Sequence, residues 1–174
     1  MSSTTEIIST TAAVFALIIA ALSALAAFRS ADSARSAQRS ADEVARRLQL
    51  FNVSRTATDA LLELQRVLSR AEQALIAYDT LGVFSGSYKN SGIEECKAKV
   101  QARVQRARDI AEYATLFVDS GSKLEQAPSD EIDRVQLKVS ASHREITAIR
   151  EELDRDVAST EAQNAQYRDR ALSR

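Results

Sequence analysis

His143 is the only histidine among 174 residues and Cys96 the only cysteine, and these two bound the chemistry available to the chain. A Ser-His-Asp or Cys-His nucleophile needs an imidazole beside it, so any such arrangement would rest on His143 alone. His143 falls four residues after Val139 and three before Ile146, on or beside an apolar helical seam. A packed or flanking imidazole is expected there rather than a general base. Cys96 lies between Ile93 and Val100 on another such seam and is expected as a small buried hydrophobe. One thiol and one imidazole are too few for a zinc site of Cys and His ligands, and a single thiol forms no internal disulfide. The 4 glycines do not cluster between a strand and a helix, so no phosphate-cradling loop is present. No catalytic group, cofactor or metal site is expected, and no small-molecule substrate is evident.

The densest charge is basic: Lys97, Lys99, Arg103, Arg106 and Arg108, with no acid until Asp109. Exposed on its own, such a run would suit anionic lipid or nucleic acid. In an antiparallel bundle it lies opposite Glu151, Glu152, Asp154 and Asp156, and pairing with them is the expectation. The whole chain holds 23 basic and 24 acidic residues, a net charge of -1. That balance lacks the basic excess of a nucleic-acid binder.

The elements that position these residues follow from the scarcity of turn formers. Average usage would give roughly 12 Gly and 9 Pro at this length; the chain has 4 and 1. Strand-rich and βαβ folds need a turn every ten or so residues, so a few long helices are expected instead. Gly82, Gly86 and Gly92 mark one loop; Gly121 and Pro128 mark another. Ser91 with Glu94 reads as a capping box, and Ser129 followed by Asp130 and Glu131 as a further helix start. Helices are predicted near 4–81, 92–120 and 129–170. Their apolar stripes run through Leu61, Leu64, Leu68, Ala71, Leu75 and Tyr78; then Ile93, Cys96, Val100, Val104, Ala107, Ala111, Ala114 and Val118; then Ile132, Val135, Val139, Ile146, Ile149, Leu153 and Val157. One stripe per helix is the pattern of an antiparallel, coiled-coil-like three-helix bundle. Val44, Leu48 and Phe51 are expected to extend the first stripe.

Ile7–Phe28 is an uncharged stretch whose polar side chains are Ser9, Thr10, Thr11 and Ser23. At ~1.5 Å per residue it is about 33 Å long, enough for a hydrocarbon core of roughly 30 Å. No Lys or Arg precedes it, whereas Arg29, Arg35, Arg39, Arg46 and Arg47 follow. The positive-inside rule then places the N-terminus outside and the rest in the cytoplasm, at the inner (cytoplasmic) membrane. A cleaved signal peptide is the competing reading, with Ala24-Leu25-Ala26 as its processing site, but it lacks the basic start that such peptides carry. Ala12, Ala16, Ala20 and Ala24 recur every fourth residue, a small-residue row that lets membrane helices pack closely.

The expected layout is a short N-terminus and anchor over 1–28, a Ser/Ala/Arg-rich helical stalk over 29–52, the bundle over 53–158 and a polar helical tail over 159–174. Ala34 and Ala37 lie on the small face of the stalk. Val83, Phe84 and Tyr88 in the first loop can plug the bundle end or, if the domain recognises a partner, form the binding loop. Function is read as a non-enzymatic, membrane-anchored, cytoplasm-facing interaction or scaffold module that self-associates. Its expected partners are the lipid bilayer, its own copies and another protein, not nucleic acid. The alternative is a signalling or effector subunit that relays a state change between membrane and bundle.

Overall fold

The computed structural model describes residues 3–86, 91–119 and 124–173, with side chains at position 20 and from 22 onward. The described residues form three helices, α1 (Ser3–Phe84), α2 (Ser91–Thr115) and α3 (Ser129–Leu172). The chain divides into two compact units, Met1–Arg47 and Leu48–Arg174.

In the first unit the described side chains from Leu22 to Ala45 are all exposed. Its serines turn back onto the helix: the Ser36 hydroxyl donates to the Ser33 carbonyl at 2.9 Å and that of Ser40 to the Ser36 carbonyl at 2.9 Å. Such bonds hide the hydroxyls from a neighbouring surface and leave small faces. Among the described residues no helix is long and apolar enough to cross a membrane. Most of Ile7–Phe28 lies outside the described side chains.

The second unit is the bundle. Ser54 near the start of its α1 segment donates to the Val118 carbonyl just after α2, while Lys97 early in α2 pairs with Asp79 late in α1. The two helices therefore run antiparallel. Gln136 reaches Thr56, Arg150 reaches Glu63 and Asn164 reaches Ala77, so α3 runs alongside α1 in the same direction. The Asn164 amide donates to the Ala77 carbonyl at 2.9 Å, and Thr160 is buried, so α3 is still engaged with α1 beyond Ser159.

Most helix ends fall close to the predicted punctuation, but α2 stops at Thr115 rather than near 120, and Gly92, expected to mark the loop, lies within α2. α1 continues through Gly82 and ends two residues later, and Gly86 takes the left-handed φ of +65° that closes the turn. Glycine meets that conformation without a Cβ penalty. Pro128, in extended conformation, precedes α3 and its carbonyl accepts the first bonds of the helix, from Glu131 and Ile132. Ser129 is thus the first helical residue rather than the cap, with Asp130 and Glu131 in the first turn as expected.

The core has a heptad-like spacing. Val53, Ala57, Ala60, Val67, Ala71 and Ala74 are buried along α1. Val100, Ala107, Ala111 and Ala114 are buried along α2, and Ile132, Val139, Ile146 and Leu153 recur every seventh residue of α3. The α1 stripe differs from the predicted one. Leu61, Leu64, Leu75 and Tyr78 are half-buried against the core, and alanines occupy its centre. Small side chains on α1 and α2 let helix backbones approach, and the longer leucines then cover the flanks. Over-filling that seam should be costly: Ala111→Leu is expected to lower stability by about 1–3 kcal/mol, read from thermal unfolding of the full chain.

The predicted extension through Val44, Leu48 and Phe51 is overturned, since all three are exposed. Their series of four- and three-residue steps leads on to Arg55 and Thr58, which face solvent, and not to Val53 and Ala57. The apolar stripe therefore changes face near Phe51.

Candidate functional site

The strongest concentration of buried charge lies between α1 and α3. Glu63 is buried, and its Oε1 accepts a hydrogen bond from Arg66 Nη1 at 2.7 Å. Its Oε2 accepts from Arg150 Nε at 3.0 Å, and Arg150 Nη1 donates to Asp154 Oδ2 at 2.6 Å. Arg70 Nε stands 2.7 Å from Asp154 Oδ1, an ion pair without hydrogen-bond alignment, because that oxygen accepts no hydrogen bond. Carboxylates and guanidiniums thus alternate along one ladder. Guanidinium does not give up its proton in proteins, so the ladder offers no proton-transfer chemistry. It can fix the register of α3 against α1. Sequence periodicity missed it because Glu63 reads as an ordinary surface acid; the usable signal was its place on the buried face, between Ala60 and Val67.

The basic run on α2 is largely neutralised. Arg103 pairs with Glu152 at 3.0 Å and with Asp156, as antiparallel packing predicts. Burial works against the charge on Arg103, but the hydrogen bond to Asp156 and the two carboxylates outweigh it, holding its pKa above the ordinary arginine value. Arg106 meets Glu145 at 2.5 Å. Lys97 turns instead to Asp79 at 2.5 Å and Glu94 at 3.1 Å, and Lys99 to Glu95 at 2.7 Å. Asp154 is already engaged with α1. Lys97, Lys99, Arg103 and Arg106 are thus paired, and Arg108 is exposed.

Lys97 is the link from α2 to the end of α1. Its hydrogen bonds to Asp79 and Glu94 raise its pKa above 10.5. A raised lysine contributes stability in full below the unfolded value of 10.5 and loses it as pH climbs through the folded value. Lys97→Met should therefore melt below wild type near neutral pH, and the two melting curves should converge once the lysine is deprotonated. Melting temperature against pH for both proteins checks this.

His143 is half-buried on α3, and its carbonyl accepts a bond from the Thr147 hydroxyl at 2.9 Å. Cys96 is half-buried rather than sealed in the core. It lines a cavity of about 260 Å³ with Tyr78, Asp156 and Thr160 among its walls. Burial raises the Tyr78 pKa, while a hydrogen bond with Thr160 pulls the other way. No imidazole lines that cavity to activate the thiol. Among the described residues no group of three or more potential metal ligands comes together.

Ala12 and Ala16 lie outside the described side chains; Ala20 and Ala24 are exposed. Ala34 and Ala37 are exposed, as are Arg29, Arg35, Arg39 and Arg47, and Arg46 is partly covered. Arg35 stands 4.0 Å from Asp32 and Arg47 2.5 Å from Glu43. Val83 and Phe84 are not in a loop but in the last turn of α1, and both are exposed, so neither plugs the bundle. Tyr88 lies outside the described residues. Ile76, seven residues before Val83, is a further exposed apolar side chain on α1. Among the apolar side chains left uncovered on α1, beside Leu22, Leu25, Phe28 and Leu62, are Val44 with Leu48 and Phe51, and Ile76 with Val83 and Phe84, as interaction surfaces often are.

No protein-family model, curated protein or solved structure matches the chain.

Proposed function

We propose that the chain is a single-pass membrane-anchored helical interaction module, with its bundle on the cytoplasmic side, that works by holding other proteins rather than by catalysis. The observation that carries this reading is the uncharged stretch Ile7–Phe28, with arginines only on its C-terminal side. The paired charges of the bundle and its exposed apolar side chains support it further. The lipid bilayer, a protein partner and further copies of the chain are its proposed contacts.

The test is fractionation of cells followed by intact mass. The reading expects the protein in the membrane fraction, resistant to alkaline carbonate, with its full mass. Loss of about 26 residues would mean a cleaved signal peptide, and release by carbonate would remove the anchor. Sidedness is read from Leu172→Cys, at an exposed position, in a Cys96→Ser chain. An impermeant maleimide should label it only after the membrane is opened. Partners follow from affinity purification out of native membrane.

A second reading is favoured by the single helix Ser3–Phe84, which holds both the anchor stretch and one wall of the bundle. A relay between membrane and bundle would use that helix. It requires a crosslinking pattern along α1 that changes when the partner is present; a static tether keeps one pattern.

A further inference from the structure

Val44, Leu48 and Phe51 are 65%, 58% and 61% exposed on one face of α1. With Ala37 and Ala41 they follow at alternating steps of four and three, the spacing that also packs the bundle core, and the series runs back through Ala34 to Ala27. The side chains of this segment from Leu22 to Ala45 are exposed throughout. A solitary helix in water is marginal without a packed face.

We infer that this seam is occupied by a second copy of the chain, packed parallel and in register. Charge argues for a copy rather than a different protein. When identical helices pair in register each seam residue meets its own counterpart, so any charge on the seam would face its like. Every charged residue from Arg29 to Arg46 falls at the heptad positions pointing away from the seam. Arg47 lies beside it and is held by Glu43 at 2.5 Å. A different partner would impose no such neutrality, because an opposite charge could answer each one. Small residues along the first half permit close approach, and Val44, Leu48 and Phe51 supply the apolar area. The parallel direction rests on the proposed anchor, since two chains inserted the same way in one membrane run the same way.

Single cysteines in a full-length Cys96→Ser chain test the seam by oxidation in native membranes and mass on non-reducing gels. Val44→Cys and Leu48→Cys should give a species of twice the chain mass. Arg39→Cys and Arg46→Cys, on the opposite face, should stay monomeric. Crosslinking between identical positions requires parallel register, so antiparallel pairing would leave all four monomeric and overturn the inference. Equal crosslinking on both faces, or a disulfide-linked species of another mass at the seam, would overturn it too. Leu48→Glu placed in the Val44→Cys chain should abolish the dimer and leave thermal unfolding of the bundle unchanged. Fractionation of the same cells keeps the two readings apart. A seam dimer in the soluble fraction removes the anchor and leaves the pairing; a membrane-bound monomer removes the pairing and leaves the anchor.

Discussion

Arg150→Leu is expected to destabilise the bundle by about 3 kcal/mol, at the lower end of what breaking a buried ion pair costs. Glu63 retains only 8% of its surface, and its Oε2 is served by Arg150 alone among the hydrogen bonds of the ladder. With the guanidinium gone that oxygen keeps a charge with neither a partner nor adequate water. Arg66 still serves Oε1, and its own side chain is 66% exposed, which holds the loss near the low end of the range. Glu63→Leu should be milder, because Arg150 keeps its 2.6 Å bond to Asp154. The double variant, with two leucines facing each other, should return to within about 1 kcal/mol of wild type, since a buried pair is often replaceable by apolar side chains. Thermal unfolding of the four proteins measures this, with a melting shift of about 10 °C for Arg150→Leu. A silent Arg150→Leu would mean that the ladder is solvated and does not hold register.

The comparison of Glu63 with Arg103 shows what a sequence of this kind discloses. Arg103 and its acids are a cluster facing a cluster, and antiparallel order alone brings Glu152 and Asp156 to it. Glu63 is a single acid that pairs locally with Arg66 and whose partner on α3 comes from 87 positions away. Only the helical phase, known to within one residue, puts it on the buried face. The same phase decides whether leucines or alanines fill the centre of α1. Hydrophobicity ranks Leu61, Leu64 and Leu68 above Ala57, Ala60 and Ala74, so a stripe drawn by apolar strength follows the leucines. Close approach between helices is a property of pairs of faces, which one helix does not display alone.

Helix number and breaks, by contrast, were plain from composition. Four glycines and one proline leave few places to turn, and backbone conformation at Gly86 and Pro128 explains why those residues are there. The exposed Val44, Leu48 and Phe51 misled because spacing continues smoothly into Arg55, while burial resumes on another face at Val53. A change of face without a break in the helix leaves no composition signal. It is also what frees an apolar stripe for another chain. The interaction surfaces proposed for α1 therefore come from exposure, and the anchor from composition.

Leu153→Ala should cost about 3–4 kcal/mol, within the range for emptying a buried leucine site. The Leu153 side chain is fully buried, in the seven-residue series with Ile132, Val139 and Ile146. The cost has two parts, lost transfer of the removed methyl groups from water and the cavity left behind. The second depends on how far the surroundings can collapse. Here much of the core on the other two helices is alanine, including Ala71, Ala74, Ala107 and Ala111. Alanine has no side-chain torsion that could swing a methyl group into the space, so closing it requires whole helices to move. The Glu63–Arg150–Asp154 and Arg103–Asp156 pairs on either side of Leu153 resist that movement. Leu137→Ala, on the same helix but 67% exposed, should stay within about 0.5 kcal/mol of wild type. Urea unfolding separates the cases: the midpoint for Leu153→Ala falls with an unchanged slope, and that for Leu137→Ala stays in place. Equal midpoints for the two variants would mean that α3 does not bury its seven-residue series against α1 and α2. A reduced slope for Leu153→Ala alone would mean that the alanine seams loosen and the helices close over the gap.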